Sequence, residues 1–263
     1  MESEGDLQRA RDMFLLDRNN NLRVLLYNRY AWMNKYIQCD DIVVDIGAGA
    51  GFSQEFIKTE VTVTEIIPYH WVDICADAAN LPFGAETLDV VICSNVLHHF
   101  ATPIRFLENV YECLKPGGHV LMFEPNPSFL LLLALRTMRH EGWSFEVDVF
   151  DPTALVNDPK DPWSGNNAIS YLMFRDPNVF EENLPGFEVI HDSFAECMMF
   201  PLSGGVTAKA KTINLPITML KIIDWLDGRL CRLSPDIFAM ARLVALRKRA
   251  CGEVDDPYLT DQT

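Results

Sequence analysis

Apolar residues follow two different periods in the first half of the chain. Between residues 6 and 37 they recur every three or four positions, which predicts N-terminal helices with a break at the asparagines of 19–21. Helical patterns also cover 52–58 and 104–114, and the LKPGG sequence predicts the end of the latter helix. Short β-branched runs bounded by turn residues predict buried strands at 42–46, 61–65, 72–77, 88–93 and 119–123.

The alternation of strands and helices stops after residue 126. Two further strand patterns, at 187–190 and 238–246, flank a helical segment at 217–230. The whole pattern predicts an α/β fold, a doubly wound, mostly parallel, seven-stranded Rossmann-like sheet with N-terminal helices and a lid insertion. We divide the chain into an N-terminal helical cap, a Rossmann-like core, an acidic aromatic lid, C-terminal strands with an inserted helical segment, and a flexible tail, at residues 1–39, 40–126, 127–185, 186–250 and 251–263.

A glycine-rich loop after the first strand is the most informative feature of the sequence. Asp45 is followed by Gly47, Gly49 and Gly51, which let the backbone turn sharply and approach a ligand closely. A dinucleotide fingerprint requires a glycine at the sixth position of this motif, where the chain has Phe52. Because the carboxylate of Asp45 suits an ammonium group better than a pyrophosphate, the loop favours a ligand with a cationic amino group.

Residues 43–51, VVDIGAGAG, resemble the first motif of class I S-adenosylmethionine-dependent methyltransferases. Further motifs follow in family order: an acid after the second strand (Glu65), an acid before LPF (Asp77), LDVVICSNVLHH (88–99) and LKPGGHVLMFEPN (114–126). The LPF, LHH and LKPGG elements resemble members that act on small molecules. The resemblance implies that residues 40–126 bind S-adenosylmethionine and that the chain is a methyltransferase.

The same resemblance implies which residues bind the cofactor. Asp45 and the glycine loop would hold the methionine part, Glu65 the ribose hydroxyls, and Asp77 the adenine amino group. An acid at a strand end is often only a turn cap, so this alternative stays open for all three. The expected cofactor-binding residues are Asp45, Ile46, Gly47, Ala48, Gly49, Gly51, Glu65, Ile66, Asp77, Ala78, Ser94 and Asn95.

One segment departs from the family pattern. Only residues 66–71, which include Pro68, separate Glu65 from the next strand, and they are too few for the helix that the family places there. We therefore expect another element to cover the adenine side of the site, either the N-terminal helices or Tyr69 and Trp71.

Two histidines follow the fourth strand, where the carboxyl edge of a doubly wound sheet opens onto the ligand crevice. Methyl transfer requires in-line positioning and exclusion of water, and a base only where the acceptor must lose a proton. His98 and His99 are the candidate catalytic residues, with packing beside the cofactor as the alternative. The candidate acceptor-binding residues are Tyr30, Glu124, Asn126 and Trp143; packing is the alternative for the aromatic ones.

The charge of the chain is uneven. The chain has 37 acidic and 22 basic residues, a net charge of −15, which argues against nucleic-acid binding. Residues 140–200 carry 12 acidic and 2 basic side chains, so this stretch alone contributes −10. An acidic, aromatic lid could receive a cationic acceptor, or it could simply be a solvated loop.

Two apolar stretches, 129–135 and 217–230, allow several interpretations. Burial as lid helices is the simplest, and an acceptor pocket, a homodimer contact or a membrane contact are the others. The acidic net charge argues against membrane contact. The seven cysteines form no C-x-x-C pair, so we expect neither a disulfide framework nor a metal site, and the acidic N-terminus does not resemble a signal peptide. We expect a cytoplasmic protein.

The sequence thus predicts a methyltransferase that uses S-adenosylmethionine and acts on a small molecule, such as a natural-product, sugar or lipid-linked intermediate. The main alternative is a catalytically silent partner subunit with the same cofactor-binding fold. Silent family members commonly lose the acid or the glycines of the first motif, and this chain keeps both, which argues against the alternative. A nicotinamide dehydrogenase conflicts with Phe52 and Asp45. The accepting atom, the need for a base and the oligomeric state stay open.

Overall fold

The computed structural model describes residues 7–17, 19–138, 141–161, 164–206 and 212–250. Helices α1 (Leu7–Asp17) and α2 (Asn20–Ala31) confirm the predicted N-terminal helices, and a 3-10 turn follows at Trp32–Lys35. The side chain of Asn19 accepts hydrogen bonds from the backbone N–H groups of Asn21 and Leu22, so the asparagine run caps α2. The tail predicted to be flexible, 251–263, lies outside the described residues.

A seven-stranded sheet forms the centre of the molecule. Its strands are β1 (Val43–Ile46), β2 (Val61–Glu65), β3 (Ile74–Cys75), β4 (Leu88–Ser94), β5 (Leu114–Pro125), β6 (Phe187–Ala195) and β7 (Ala241–Lys248). The spatial order is β3-β2-β1-β4-β5-β7-β6, parallel from β3 to β5, with β7 antiparallel to both of its neighbours. The predicted doubly wound, mostly parallel sheet is confirmed.

The remaining helices pack on both faces of this sheet. They are α3 (Pro103–Cys113), α4 (Phe129–Met138), α5 (Ile169–Phe174), α6 (Pro177–Asn183), α7 (Met199–Ser203), α8 (Ile217–Leu233) and α9 (Pro235–Phe238). Val44 belongs to a buried cluster with residues of α3, α5 and α6, whereas its neighbour Val43 packs with residues of α1, α2 and α7. Both faces of the sheet are therefore covered, as the continuous apolar runs of its parallel strands require.

The predicted helix at 52–58 is wrong. A 3-10 turn of four residues, Phe52–Glu55, takes its place, and the backbone N–H of Ile57 still bonds to the carbonyl of Ser53. Only residues 56–60 are left to bring the chain back to the start of β2, which leaves no length for further helical turns. The glycine loop consequently has no full α-helix behind it.

Several strand boundaries also differ from the prediction: β6 continues to Ala195 rather than ending at 190, and three further differences have a local cause. β3 has two residues instead of six, because the carboxylate of Asp73 accepts the hydrogen bond from Val63 N–H (2.8 Å) that a longer strand would take. The LKPGG residues do not follow α3 as a loop but begin β5, with Leu114 paired to Leu88. β7 starts at Ala241 rather than 238, because Pro235–Phe238 forms a helical turn.

The apolar stretches at 129–135 and 217–230 form α4 and α8. Within the described residues, no helix combines the length and the apolar character needed to cross a lipid bilayer. On α8, Leu220 is buried whereas Ile222 and Trp225 are exposed, so burial as a lid helix accounts for one face of this helix only.

Candidate active site

The glycine loop adopts a conformation that only glycine reaches without strain. Gly47, Gly49 and Gly51 have φ angles of 62°, 55° and 68°. A Cβ atom at Gly47 would lie 3.0 Å from two methyl carbons of Val96, and one at Gly51 would lie 2.8 Å from a ring carbon of Trp71. The loop therefore presents backbone rather than side chains between β1 and the turn after β4.

Asp45 lies at the end of β1 and is completely buried. Neither its carboxylate oxygens nor the buried hydroxyl of Ser53 has a hydrogen-bond partner among the described residues. Burial raises the pKa of Asp45 to about 7; the nearby Ser53 hydroxyl, which does not reach hydrogen-bond geometry, lowers it, and the negative charge of Glu65 raises it further. An unpaired buried carboxylate is costly, so a bound cation beside it would be stabilised.

Glu65, at the end of β2, connects the glycine loop to the sheet. One of its carboxylate oxygens accepts a hydrogen bond from the backbone N–H of Gly49 (2.9 Å), and the other from that of Ile66 (2.8 Å). Each oxygen keeps a second lone pair, so these bonds leave room for further donors. Glu65 thus orients the loop and can still accept hydrogen bonds from a diol.

The loop is covered by residues from α1 and from the short connection after β2. The Trp71 indole donates to the carbonyl of Gly49 (2.9 Å), and Arg11 donates to that of Ala50 (2.6 Å). The Arg11 guanidinium lies 5.2 Å from the Trp71 ring, and Tyr69 stacks on the same ring at 4.6 Å. These contacts cover the glycine loop where no full helix follows it, and cover of the adenine side by the same residues stays a prediction.

Asp77 is exposed, and its carboxylate accepts a hydrogen bond from the backbone N–H of Ala79 (2.9 Å). This is the geometry of an Asx turn, the alternative raised by the sequence. Ile66 is also half exposed. Contact of Asp77 and Ala78 with adenine stays a prediction.

Three further residues lie at the carboxyl edge of β1 and β4. Asn95, directly after Ser94, has a φ angle of 57°, which turns the chain sharply at the strand end. Burial raises the pKa of Tyr30 strongly, the charge of Asp45 adds to the rise, and a side-chain hydrogen bond with Ser94 opposes it. Tyr30 of α2, Asp45 and Ser94 are therefore neighbours.

Glu124 lies at the end of β5, and its contact with an acceptor stays a prediction. It is buried, and it accepts hydrogen bonds from the backbone N–H groups of Val96, Leu97 and His98 and from Nδ1 of His98 (2.7 Å). These donors occupy both carboxylate oxygens, so the contacts seen for Glu124 are structural. Glu124 caps the 3-10 turn Leu97–His99 and fixes the ring of His98.

Asn126 is also buried. Its amide donates to the carbonyls of Ala239 (2.8 Å) and Pro235 (3.4 Å), and its backbone N–H bonds to the carbonyl of Met240. These bonds hold the start of β7 against the end of β5, and contact of Asn126 with an acceptor stays a prediction.

Glu141 is a member of the site that the sequence did not single out. One carboxylate oxygen lies 3.3 Å from Nε2 of His98, and the other lies 3.9 Å from Nε2 of His99. Burial opposes a charge on His98, yet Glu124 and Glu141 together raise its pKa to about 9; burial and the charge of His98 lower the pKa of His99 to about 4. The acid excess of 140–200 pointed to this segment but not to this residue.

The half-buried Trp143 lies two residues after Glu141. A backbone bridge pairs Gly142 with Asn166, and the side chain of Asn166 bonds to the backbone of Ser144 on both its donor and acceptor sides. This pairing holds Trp143 in the segment that faces the two histidines. Of the aromatic residues expected in the lid, Trp163 lies outside the described residues.

The sheet order with an antiparallel β7, the glycine loop after β1 and the acids at the ends of β1 and β2 are the features of a class I methyltransferase fold. Residues 44–122 match the family model "Methyltransferase domain". This segment of the chain, which includes Asp45, the glycine loop and both histidines, therefore resembles a methyltransferase domain.

Curated relatives resemble this chain over the same region. Highly reducing polyketide synthase aurA of Calcarisporium arbuscula is 34% identical over 94 residues, which are 36% of this chain and 4% of the synthase. Phthiotriol/phenolphthiotriol dimycocerosates methyltransferase of Mycobacterium leprae (strain TN) is 44% identical over 52 residues, which are 20% of this chain and 19% of that enzyme. The chain thus spans a small part of the length of these relatives.

The structure of a SAM-dependent methyltransferase from Archaeoglobus fulgidus superposes on this chain with a TM-score of 0.51. Its sequence is 18% identical, and the superposition covers 86% of this chain and 94% of that chain. The similarity shows that the fold extends well beyond the segment matched by the family model.

Proposed function

We propose that this chain transfers a methyl group from S-adenosylmethionine to a small-molecule acceptor. The observation that carries the proposal is the buried carboxylate of Asp45, which has no hydrogen-bond partner among the described residues and lies directly before the glycine loop. An α-amino group is the cation that such a site would stabilise. A nicotinamide dinucleotide would instead bring a pyrophosphate toward this carboxylate.

The residues present fit the cofactor. Asp45 and the loop from Ile46 to Gly51 would hold the amino-acid part, and Glu65 would accept hydrogen bonds from the ribose hydroxyls. Ser94 and Asn95 would lie near the sulfonium, and Asp77 with Ala78 near the adenine. When bound, S-adenosylmethionine supplies a methyl group that is activated for displacement by its sulfonium leaving group.

The chain itself would position the acceptor, exclude water from the site and activate the acceptor. Trp71 and Arg11 cover the glycine loop and exclude water from that side. His98 and His99 would activate the acceptor, with Glu124 holding the first ring and the carbonyl of Ser164 the second. Tyr30 and Trp143 are the proposed acceptor contacts.

The acceptor class is a natural-product, sugar or lipid-linked intermediate. The matches to a polyketide synthase and to a methyltransferase of phthiotriol and phenolphthiotriol dimycocerosates support an acceptor made by secondary or lipid metabolism. We also propose that the protein acts in the cytoplasm, binds neither nucleic acid nor a membrane, and can form a homodimer.

Calorimetric titration with S-adenosylmethionine and with NAD tests the proposal. We expect heat of binding with S-adenosylmethionine only; binding of NAD instead would contradict it. Release of S-adenosylhomocysteine in the presence of candidate acceptors then distinguishes an enzyme from a catalytically silent subunit, which would bind the cofactor but release no product.

A further inference from the structure

Three side chains from two separate segments meet beside the carboxyl ends of β4 and β5. His98 and His99 come from the 3-10 turn after β4, and Glu141 comes from the segment that follows α4. One ligand atom of each residue lies within 4.8 Å of the other two. Of the three, His98 is buried, and His99 and Glu141 are partly buried.

The hydrogen bonds made by Nδ1 of His98 and Nδ1 of His99 fix the orientation of the two imidazole rings. Nδ1 of His99 lies 3.1 Å from the carbonyl oxygen of Ser164, which can only accept, so Nδ1 carries the hydrogen and Nε2 presents a lone pair. Nδ1 of His98 bonds to the carboxylate of Glu124 (2.7 Å) and its Nε2 faces Glu141, so a metal ion bound at Nε2 would displace the hydrogen there and release it to solvent. Histidines that bind metals are held in this way by a carboxylate or a backbone carbonyl.

The carboxylate of Glu141 is held as well. The side-chain amide of Asn167 donates to its Oε2 (3.1 Å), and the same amide donates to the carbonyl of Gly142 (3.0 Å). Each of the three groups thus has a partner that sets its orientation toward the other two.

The separations suit a small divalent ion. Zinc lies about 2.0–2.1 Å from imidazole nitrogens and carboxylate oxygens, so two ligands at a tetrahedral angle are about 3.4 Å apart. The distances from the Glu141 oxygens to the nitrogens of His98 and His99 are 3.3 and 3.9 Å. These two distances end on different oxygens of Glu141; with one ligand atom from each residue the separations are at most 4.8 Å, so the widest would have to shorten by no more than about 1.4 Å around such an ion.

We propose that His98, His99 and Glu141 bind one divalent transition-metal ion of the zinc type, with the fourth coordination position open. Two histidines and one glutamate are a ligand set of catalytic zinc sites, which keep one position for water or substrate. An acceptor hydroxyl at that position would lose its proton more easily. This consequence rests on the proposed function, whereas binding of the metal does not.

Metal titration of the full chain after treatment with a chelator tests the proposal. We expect wild type to bind one Zn²⁺ per chain by elemental analysis, and Co²⁺ at the same site to show the visible absorption of a four- or five-coordinate ion. Glu141→Gln and His99→Ala should each weaken binding about 100-fold or more, since loss of a mere orienting partner already costs about 10–100-fold. The matched control is Glu146→Gln, which removes an exposed acid of the same segment and should bind as wild type does.

Circular dichroism of each variant shows whether it folds, and Glu141→Gln, which keeps the side-chain shape, serves if His99→Ala does not. Absence of bound metal in wild type, or equal binding by wild type and Glu141→Gln, would overturn the proposal. Titration of the metal-free chain with S-adenosylmethionine separates this result from the proposed function, because Asp45 and the glycine loop contain none of the three ligands.

Discussion

The carboxylate of Glu124 accepts a hydrogen bond from Nδ1 of His98 at 2.7 Å while its oxygens also accept from the backbone N–H groups of Val96 and Leu97. Glu124, a buried acid at the end of β5, therefore shapes the turn after β4 and orients the ring of His98 within that turn. The two central strands of the sheet are coupled at the point where the acceptor is proposed to bind.

Replacement of Glu124 by alanine should lower the free energy of unfolding by about 3 kcal/mol, because several buried donors lose their acceptor together. Urea denaturation of the variant and of wild type measures this change. Glu188→Ala on β6, which removes a partly exposed carboxylate paired with Arg247, is the control and should cost less than about 1 kcal/mol. Equal losses in the two variants would show that Glu124 does not have this anchoring role.

Replacement of Asp45 by asparagine should weaken the binding of S-adenosylmethionine by about 1–3 kcal/mol, the cost of a lost charge-assisted hydrogen bond. Isothermal titration calorimetry gives the affinities. Asp40→Asn, an exposed acid in the turn before β1, should leave the affinity unchanged. Unaltered affinity of Asp45→Asn would mean that the cofactor lies elsewhere.

The contribution of Asp45 to the stability of the cofactor-free chain should fall as the pH rises from about 4 to about 7, opposite in sign to the contribution of His99, whose pKa is lowered to about 4. Burial raises the pKa of Asp45 from its ordinary value to about 7, so over this range the folded state holds a proton that the unfolded state has released. Three pKa units correspond to at most about 4 kcal/mol. Comparing wild type with Asp45→Asn across this pH range isolates the contribution, and parallel profiles of the two proteins would refute it.

The Gly51→Ala variant should both destabilise the chain and weaken cofactor binding. The new methyl group would lie 2.8 Å from the Trp71 ring, and the alanine backbone would have to keep a φ angle of 68°. Gly117→Ala, at a φ angle of 81° with no atom within 4 Å, tests the strain of the backbone without the clash. We expect thermal unfolding to show about 1 kcal/mol for Gly117→Ala and a larger loss for Gly51→Ala, with reduced cofactor affinity only in the latter. Similar affinities in both variants would contradict a role for the Trp71 contact.

Local signals account for what the sequence predicted correctly. The apolar runs of β1, β2 and β4 and the glycines between β1 and β2 are properties of short segments, and periodicity and backbone freedom reveal them. The helix predicted at 52–58 failed for a reason that is not local. The start of β2 is set by its pairing with β1, and the remaining residues must reach it.

The sequence by itself determined the class of the fold and the position of the glycine loop with Asp45, because these depend on the order and spacing of residues along the chain. Only the tertiary structure decided that Glu124 and Asn126 face inward and that Glu141, 42 positions after His99, lies beside both histidines. Contacts across such separations depend on how strands and segments pack, and the chemistry of a side chain alone does not contain them.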